Sequence, residues 1–185
     1  MPWNLKCYYG SQDLHFLTYT CYRRLPLLSS ARARNVFVEI LAEVRDGYGF
    51  LLAGYVVMPN HVHLLIGEPA KGTPSTVMQV LKQRVSRRLR ARKRRAPQTQ
   101  LQLAFVEGEL MPRQFWQRRF HDFNLWSHKK IIEKLEYVHM NPVKNNLVEH
   151  SKHRAPRGPA KDWPWSSWSY YAKGEQGLVR IDESS

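Results

Sequence analysis

Gly54-Tyr55-Val56-Val57-Met58-Pro59-Asn60-His61-Val62-His63-Leu64-Leu65-Ile66 is the stretch that decides the fold. It consists of two hydrophobic runs separated by Met58-Pro59-Asn60. Proline has no backbone N–H and a fixed φ, and asparagine tolerates turn geometry, so the stretch predicts two strands joined by a turn. Side chains alternate between the faces of a strand, so His61 and His63 point to one face and the residues beside them to the other.

Two neighbouring imidazoles on one face of a strand are suited to binding a divalent metal if a third ligand reaches them. An isolated His-x-His pair has a simpler interpretation, in which one histidine is a hydrogen-bonding core residue and the other lies at the surface. The observations that favour the metal come from the second half of the chain.

The composition indicates one basic domain. The chain has 185 residues, 43% of them hydrophobic, which is enough for a single core. Its net charge of +14 favours a polyanionic partner, with nucleic acid ahead of an anionic membrane surface. No apolar run reaches the roughly 20 residues of a membrane-spanning helix, and no signal peptide is visible. Cys7 and Cys21 form neither a metal knuckle nor a disulfide framework, so we expect a soluble cytoplasmic protein without a membrane partner.

Hydrophobic periodicity predicts the order strand, helix, strand, strand, helix, strand, followed by a third helix. This is the order of a ferredoxin-like α/β sandwich, an antiparallel sheet with helices on one face, here with a C-terminal helix in addition. Its first and third strands are adjacent in the middle of the sheet, so His61 and His63 would lie on a rigid central strand. The strands are predicted at about 14–22, 50–58, 61–67 and 115–120, and the helices at about 30–46, 76–95 and 127–141.

Helix boundaries follow from caps and breakers. Ser29 or Ser30 is expected to cap the first helix, Ser75 or Thr76 the second and Ser127 the third. The prolines at positions 97 and 142 are expected to end the second and third helices.

Cationic and aromatic side chains concentrate in a few stretches. Residues 82–95 carry nine Lys and Arg and no acid, which exceeds an ordinary solvated helix face and favours DNA contact. We divide the chain into a main domain, 1–150, and a basic, aromatic tail, 151–185, whose tryptophans either stack on unpaired bases or pack on the domain. The predicted DNA-contacting residues are Lys82, Arg84, Arg87, Arg88, Arg90, Arg118, Arg119, Trp163 and Trp165.

The third predicted helix carries a tyrosine away from its apolar stripe. Tyr137 lies off that stripe, and Asn141 is its neighbour one turn further on. A half-exposed tyrosine near a helix end is common, yet a phenol, an amide oxygen and two imidazoles together would bind a divalent metal and present a nucleophile. The predicted apolar stripe consists of Ile131, Ile132, Leu135 and Val138.

Several stretches resemble one known family. Residues 54–65 resemble the His-hydrophobic-His (HUH) segment of single-tyrosine transposases, and residues 137–144 resemble the tyrosine helix of their REP-associated branch. Residues 116–122 and 163–167 are also similar to that branch, and the likeness extends from the first strand to about Tyr171. Members often have glycine where Asn146 stands here, and asparagine also enters the left-handed conformation, so we expect the turn to be kept.

The resemblance implies a metal-dependent endonuclease and strand transferase acting on single-stranded, hairpin (REP-like) DNA through a 5′-phosphotyrosine intermediate. It implies Tyr137 as the nucleophile and His61, His63 and Asn141 as ligands of Mg²⁺ or Mn²⁺, with no nucleotide cofactor. Monomer and homodimer both stay open. The alternatives are a hydrolytic metal-dependent nuclease, which would use a metal-bound water, and a non-catalytic nucleic-acid-binding module.

Overall fold

A four-stranded antiparallel sheet with helices on both faces forms the protein. The computed structural model describes residues 9–10, 13–94, 112–148 and 163–182. The strand order is β2-β3-β1-β4, so β1 and β3 are the central pair, and the ferredoxin-like prediction is confirmed. The elements are β1 (Leu14–Thr20), α1 (Ala31–Tyr48), β2 (Leu52–Val57), β3 (His61–Ile66), α2 (Pro74–Arg94), β4 (His121–Leu125), α3 (His128–Lys144) and α4 (Trp168–Lys173).

The first two helices begin with side-chain caps. The side chain of Ser30 accepts a hydrogen bond from the backbone of Ala33 and so begins α1. Helix α2 begins at Pro74, where the missing N–H of proline costs nothing, and not after Ser75 or Thr76 as predicted. The Thr73 hydroxyl accepts from the backbone N–H of Thr76 at 3.3 Å, which places the cap before the proline.

The predicted fourth strand is misplaced. The ladder with β1 is formed by β4 and not by residues 115–120. Phe115 and Trp116 are buried in the core, and Trp116 makes one isolated bridge to Cys21. The aromatic content of this segment therefore reflects core packing beyond the end of β1, whereas the strand is the more polar segment that follows.

Helix α3 does not end before Pro142. Proline removes one backbone hydrogen bond, but only the last turn of the helix follows it, so the helix continues to Lys144. The end is closed by the N–H of Asn145, which donates to the carbonyl of Asn141. Asn146 then adopts a φ of 54°, the left-handed conformation expected from the sequence.

The apolar stripe of α3 is narrower than predicted. Val138 is fully buried, and Ile131 and Leu135 pack partly against the same cluster. Ile132 is 45% exposed and does not belong to the stripe. The helix thus rests on the sheet along one narrow line and leaves the flanking side chains accessible.

The two faces of the sheet carry different helices. Val62, Leu64 and Ile66 of β3 pack with α1 and α2 in one hydrophobic cluster. The opposite face of β3 carries the two histidines and Leu65, which packs in a second cluster with residues of α3. Any site built on the histidines therefore lies on the α3 face.

Residues 163–182 pack against β2. The N–H of Val57 donates to the carbonyl of Trp165, and the N–H of Ser167 donates to the carbonyl of Tyr55. Asp182 accepts hydrogen bonds from the backbone of Leu52 and from a guanidinium of α1. This part of the predicted tail is thus integrated into the domain. In the described part of the chain, no helix is long and apolar enough to cross a membrane.

Candidate active site

The central strand β3 and helix α3 bring the three predicted metal ligands together. The Nε2 atom of His61 lies 3.1 Å from Oδ1 of Asn141, and Nε2 of His63 lies 3.2 Å from Nδ2 of the same amide. The last turns of α3 therefore place an amide between two imidazoles that the alternation of β3 already points to one face.

Neighbouring polar groups orient both imidazole rings. Nδ1 of His61 lies 2.6 Å from Oδ1 of Asn60, and Nδ1 of His63 lies 2.7 Å from the hydroxyl of Thr18 on β1. Such contacts through the far nitrogen are typical of metal-binding histidines, because they fix the ring and leave Nε2 free for the ligand.

His61 faces an amide oxygen through each of its ring nitrogens. A neutral imidazole has one N–H and can satisfy only one of them. Burial lowers the pKa of His61, and the charge of Arg24 lowers it further, although Asn141 opposes the shift. Asn145 donates from Nδ2 to Oδ1 of Asn141 and so holds the amide oxygen towards His61.

A cation between Nε2 of His61 and Oδ1 of Asn141 would bind a lone pair of each atom and so make both atoms ligands. Adjacent ligands bound at about 2.1 Å around an octahedral ion are roughly 3 Å apart, which agrees with the observed separation. Among the described residues, no group of three or more His, Cys, Asp and Glu side chains is placed to hold a metal. The residues at this site fit a divalent metal, provided that the amide of Asn141 is the third ligand.

His63 is held in its neutral form. Burial lowers its pKa to about 3, and electrostatic repulsion from His61, when that ring is protonated, and from Lys134 acts in the same direction. Phe16 stacks on the ring at a centroid distance of 5.4 Å. Because metal binding requires an unprotonated imidazole nitrogen, this environment keeps the ligand available throughout the physiological pH range.

Tyr137 lies beside the histidines and is open to solvent. Its ring centroid is 5.2 Å from that of His63, and 39% of the residue is exposed. The ammonium groups of Lys134 and Lys144 lie 5.7 Å and 5.3 Å from the centre of the ring. The phenol therefore lies in a positive environment that a phosphate can reach from outside.

The predicted basic contacts Lys82 and Arg90 belong to α2, which packs on the opposite face of the sheet. The ammonium of Lys82 donates to the carbonyl of Gln117 at 2.9 Å, and desolvation lowers its pKa to about 8. Arg90 donates to the carbonyls of Pro112 and Arg113. These two cations of α2 thus hold the segment before β4, and the structure does not bring them to Tyr137.

The other cations of this group are more accessible. Arg84 and Arg88 lie near carboxylates of α1, in exposed pairs that contribute little stability. Arg87, Arg118 and Arg119 are exposed and form no ion pair with another residue of the described ranges. Contact of these side chains with DNA stays a prediction.

Trp163 and Trp165 are used in packing. Trp163 is 7% exposed and donates from its indole N–H to the carbonyl of Val57. Trp165 donates to the side chain of Asn35, and the guanidinium of Arg34 lies 3.9 Å from the centre of its ring. The structure favours the packing alternative, since base stacking would require these rings to leave their contacts.

Sequence reasoning missed several residues of the site. Asn145 had a signal, because it follows Asn141 by one helical turn, and so did Asn60, which precedes His61. Thr18, Arg24 and Lys134 had none, because their proximity depends on how β1 pairs with β3 and on where α3 crosses the sheet.

In this fold a strand with two histidines faces a helix carrying a tyrosine, which is the arrangement that the resemblance to the HUH class implies. The chain belongs to the IS200-like transposase family, whose model, described as "Transposase IS200 like", matches residues 8–141. The family prediction is confirmed, and with it the prediction of an enzyme that acts on DNA.

Two relatives narrow the comparison. The chain is 27% identical over 142 residues to a Haemophilus influenzae protein described as "Putative REP-associated tyrosine transposase", covering 76% of this chain and 72% of the relative. A solved structure of a REP-associated tyrosine transposase bound to a REP hairpin matches with a TM-score of 0.63 and 20% identity. That match covers 98% of this chain and 93% of the other, and it supports the fold.

Proposed function

We propose that the protein is a metal-dependent single-stranded DNA endonuclease and strand transferase that acts on REP-like hairpin DNA through a 5′-phosphotyrosine intermediate, in the cytoplasm. The observation that carries the proposal is the convergence of Tyr137 and Asn141, one turn apart on α3, with His61 and His63 on β3. The substrate class is supported by the descriptions of the two relatives, one of which has a REP hairpin bound.

The metal ligands in this proposal are Nε2 of His61, Nε2 of His63 and Oδ1 of Asn141. A bound Mg²⁺ or Mn²⁺ would act as a Lewis acid on the scissile phosphate. Two nitrogen donors favour Mn²⁺ over Mg²⁺, which prefers oxygen ligands. The hydrogen bonds that Nδ1 of His61 donates to Oδ1 of Asn60 and Nδ1 of His63 donates to the hydroxyl of Thr18 hold the imidazoles in the orientation that this binding requires.

Tyr137 supplies the nucleophile. A phenol has a pKa near 10 and attacks poorly on its own at neutral pH, so its position must be fixed. The ring packs against His63 and Phe16 at interplanar angles of 79° and 86°, and the residue stays partly exposed. Its oxygen forms the bond to phosphorus, the phenolic proton is lost, and the 3′-oxygen leaves to become a free 3′-hydroxyl.

The same geometry allows joining. A 3′-hydroxyl that attacks the phosphotyrosine reforms a phosphodiester and releases Tyr137, so the bond energy stays in the intermediate and no nucleotide cofactor is required. The exposed cations Arg87, Arg118 and Arg119 are proposed to contact the DNA backbone. Each such contact steepens the salt dependence of binding by roughly 0.7–0.9 in log K per decade of salt.

The test is a denaturing gel of the protein with hairpin DNA carrying single-stranded flanks and Mn²⁺. We expect a slowly migrating covalent adduct with the wild type and with Tyr48→Phe, a tyrosine control on the other face of the sheet. The adduct should be absent with Tyr137→Phe, with His61→Ala and in the presence of EDTA.

Two outcomes would replace the proposal. Cleavage without an adduct that persists in Tyr137→Phe would identify a hydrolytic nuclease. Hairpin binding that survives EDTA, with no cleavage, would identify a non-catalytic binding module.

A further inference from the structure

A row of aromatic rings leads from Tyr137 to the outer edge of the sheet. The ring of Phe16 lies 6.0 Å from that of Tyr137. Phe16 on β1 is the cross-strand partner of Phe123 on the edge strand β4, and Phe123 lies 5.8 Å from Trp126. We name these four residues, Tyr137, Phe16, Phe123 and Trp126, the aromatic strip.

The outer end of the aromatic strip is strongly exposed. Trp126 directly follows β4 and is 70% exposed, more than any other large hydrophobic side chain of the described residues. An indole in this position contributes little to the core. A large exposed apolar surface next to a functional site is typical of a binding surface.

A lysine lies over the strip. The ammonium of Lys134 is 4.9 Å, 5.9 Å and 5.7 Å from the ring centres of Phe16, Phe123 and Tyr137. Lys134 forms no ion pair with a carboxylate of the described residues, whereas the adjacent Glu133 is paired with Lys130. The strip therefore combines aromatic faces with an unneutralised cation.

This combination suits single-stranded nucleic acid, whose unpaired bases stack on aromatic rings while its phosphates attract cations. Paired bases do not fit the exposed indole, because both faces of a base in a duplex are already stacked. The strip also starts at Tyr137, so a strand lying along it has its phosphates within reach of the nucleophile.

We propose that the aromatic strip binds the single-stranded DNA flanking the scissile phosphate, with an unpaired base stacked on Trp126 and a backbone phosphate next to Lys134. The inference rests on the proposed function and adds to it the path of the strand. It assigns a binding role to Trp126 and Lys134, which lie outside the metal ligands and the nucleophile.

The test uses 2-aminopurine placed in turn at each position of the single-stranded flank of a hairpin. Binding is measured with Tyr137→Phe, so that no cleavage occurs. We expect the 2-aminopurine fluorescence to be quenched at one position of the flank. Adding Trp126→Ala should abolish this quenching and weaken DNA binding roughly fivefold to hundredfold. Trp126→Phe should keep most of the affinity. Lys134→Met should reduce the slope of log K for DNA binding against log salt concentration by roughly 0.7.

Matched controls separate stacking from other effects. Ile132→Ala removes another exposed apolar side chain, on α3, and should leave affinity and quenching unchanged. Because Trp126 is largely exposed, Trp126→Ala should unfold at the same temperature as the wild type. A hairpin whose flank is made double-stranded should bind equally well to Tyr137→Phe with and without Trp126→Ala.

Some results would overturn the inference and others only the proposed function. Unchanged affinity and quenching in Trp126→Ala would overturn the inference, even if the wild type forms the adduct. The same holds if Trp126→Ala converts a dimer to a monomer while DNA affinity stays constant, because the indole would then be a subunit contact. Quenching that depends on Trp126 in a protein that never forms an adduct would keep the binding site and reject the nuclease.

Discussion

The sheet has no room for a Cβ at Gly54 beneath Leu135 of helix α3. A Cβ at this position of β2 would lie 2.6 Å from Cδ2 of Leu135 on α3 and 3.4 Å from the hydroxyl of Ser167. Carbon atoms in ordinary contact are about 3.5–4.0 Å apart. The substitution Gly54→Ala therefore requires Leu135, or the helix that carries it, to move by about 1 Å.

The size of the effect depends on which part moves. Overpacking of this kind costs about 1–3 kcal/mol of the free energy of unfolding. Tyr137 follows Leu135 by two residues on the same helix, so a shift of α3 moves the phenol relative to His63. Because a displacement of about 1 Å can cost on the order of 100-fold in rate, we expect Gly54→Ala to slow adduct formation by up to that factor.

Urea denaturation and single-turnover adduct formation measure the two effects. Leu135→Ala creates room, so the cost of Gly54→Ala should disappear in the Leu135→Ala background. Gly47→Ala is the control, because a Cβ there meets no atom within 4 Å and should raise stability by up to about 1 kcal/mol. If Gly54→Ala matches the wild type in both assays, or if Leu135→Ala does not relieve its cost, the close approach does not position the helix.

Three further predictions concern pH, the C-terminal segment and the metal. Burial lowers the pKa of His139 to about 4 and that of His63 to about 3, whereas unfolded histidines take up protons below about pH 6.5. Their neutral forms therefore support the fold above pH 6.5, and stability measured in urea with EDTA should fall by about 1–2 kcal/mol per histidine between pH 6.5 and 5. Asp182→Ala removes an acceptor shared by Arg45 and the backbone of Leu52 and should lower the urea-derived free energy of unfolding by about 1–3 kcal/mol. Asn145→Ala removes the hydrogen bond that orients the side-chain amide of Asn141. Mn²⁺ binding measured by calorimetry should therefore weaken by about 10- to 100-fold.

Clear results would contradict each of these. The pH argument fails if His139→Gln keeps the full loss of stability on acidification. The role of the C-terminal segment fails if Asp182→Ala unfolds at the wild-type urea concentration. The orientation of the amide is irrelevant if Asn145→Ala binds Mn²⁺ as tightly as the wild type.

The elements that sequence alone located are those with a local pattern. The alternation after Asn60 set the histidine pair on one face, and the position of Tyr137 off the apolar stripe predicted its exposure. The fourth strand was misplaced because Phe115 and Trp116, which fill the core, have the composition of a strand. Trp126 was missed because its neighbours come from β4 and β1, and no spacing in the chain records that pairing.

The hydrogen bonds of Ser167, which link β2 and α3 through the C-terminal segment, can form only late in translation. The hydroxyl of Ser167 accepts from the backbone of Tyr55 at 3.0 Å and lies 2.9 Å from Nε2 of His139. Ser167 is synthesised after every residue of the candidate site, including Tyr137. A ribosome that stops before residue 163 thus releases a chain that contains both histidines and the tyrosine but lacks the hydrogen bond that ties the tyrosine helix to the edge of the sheet.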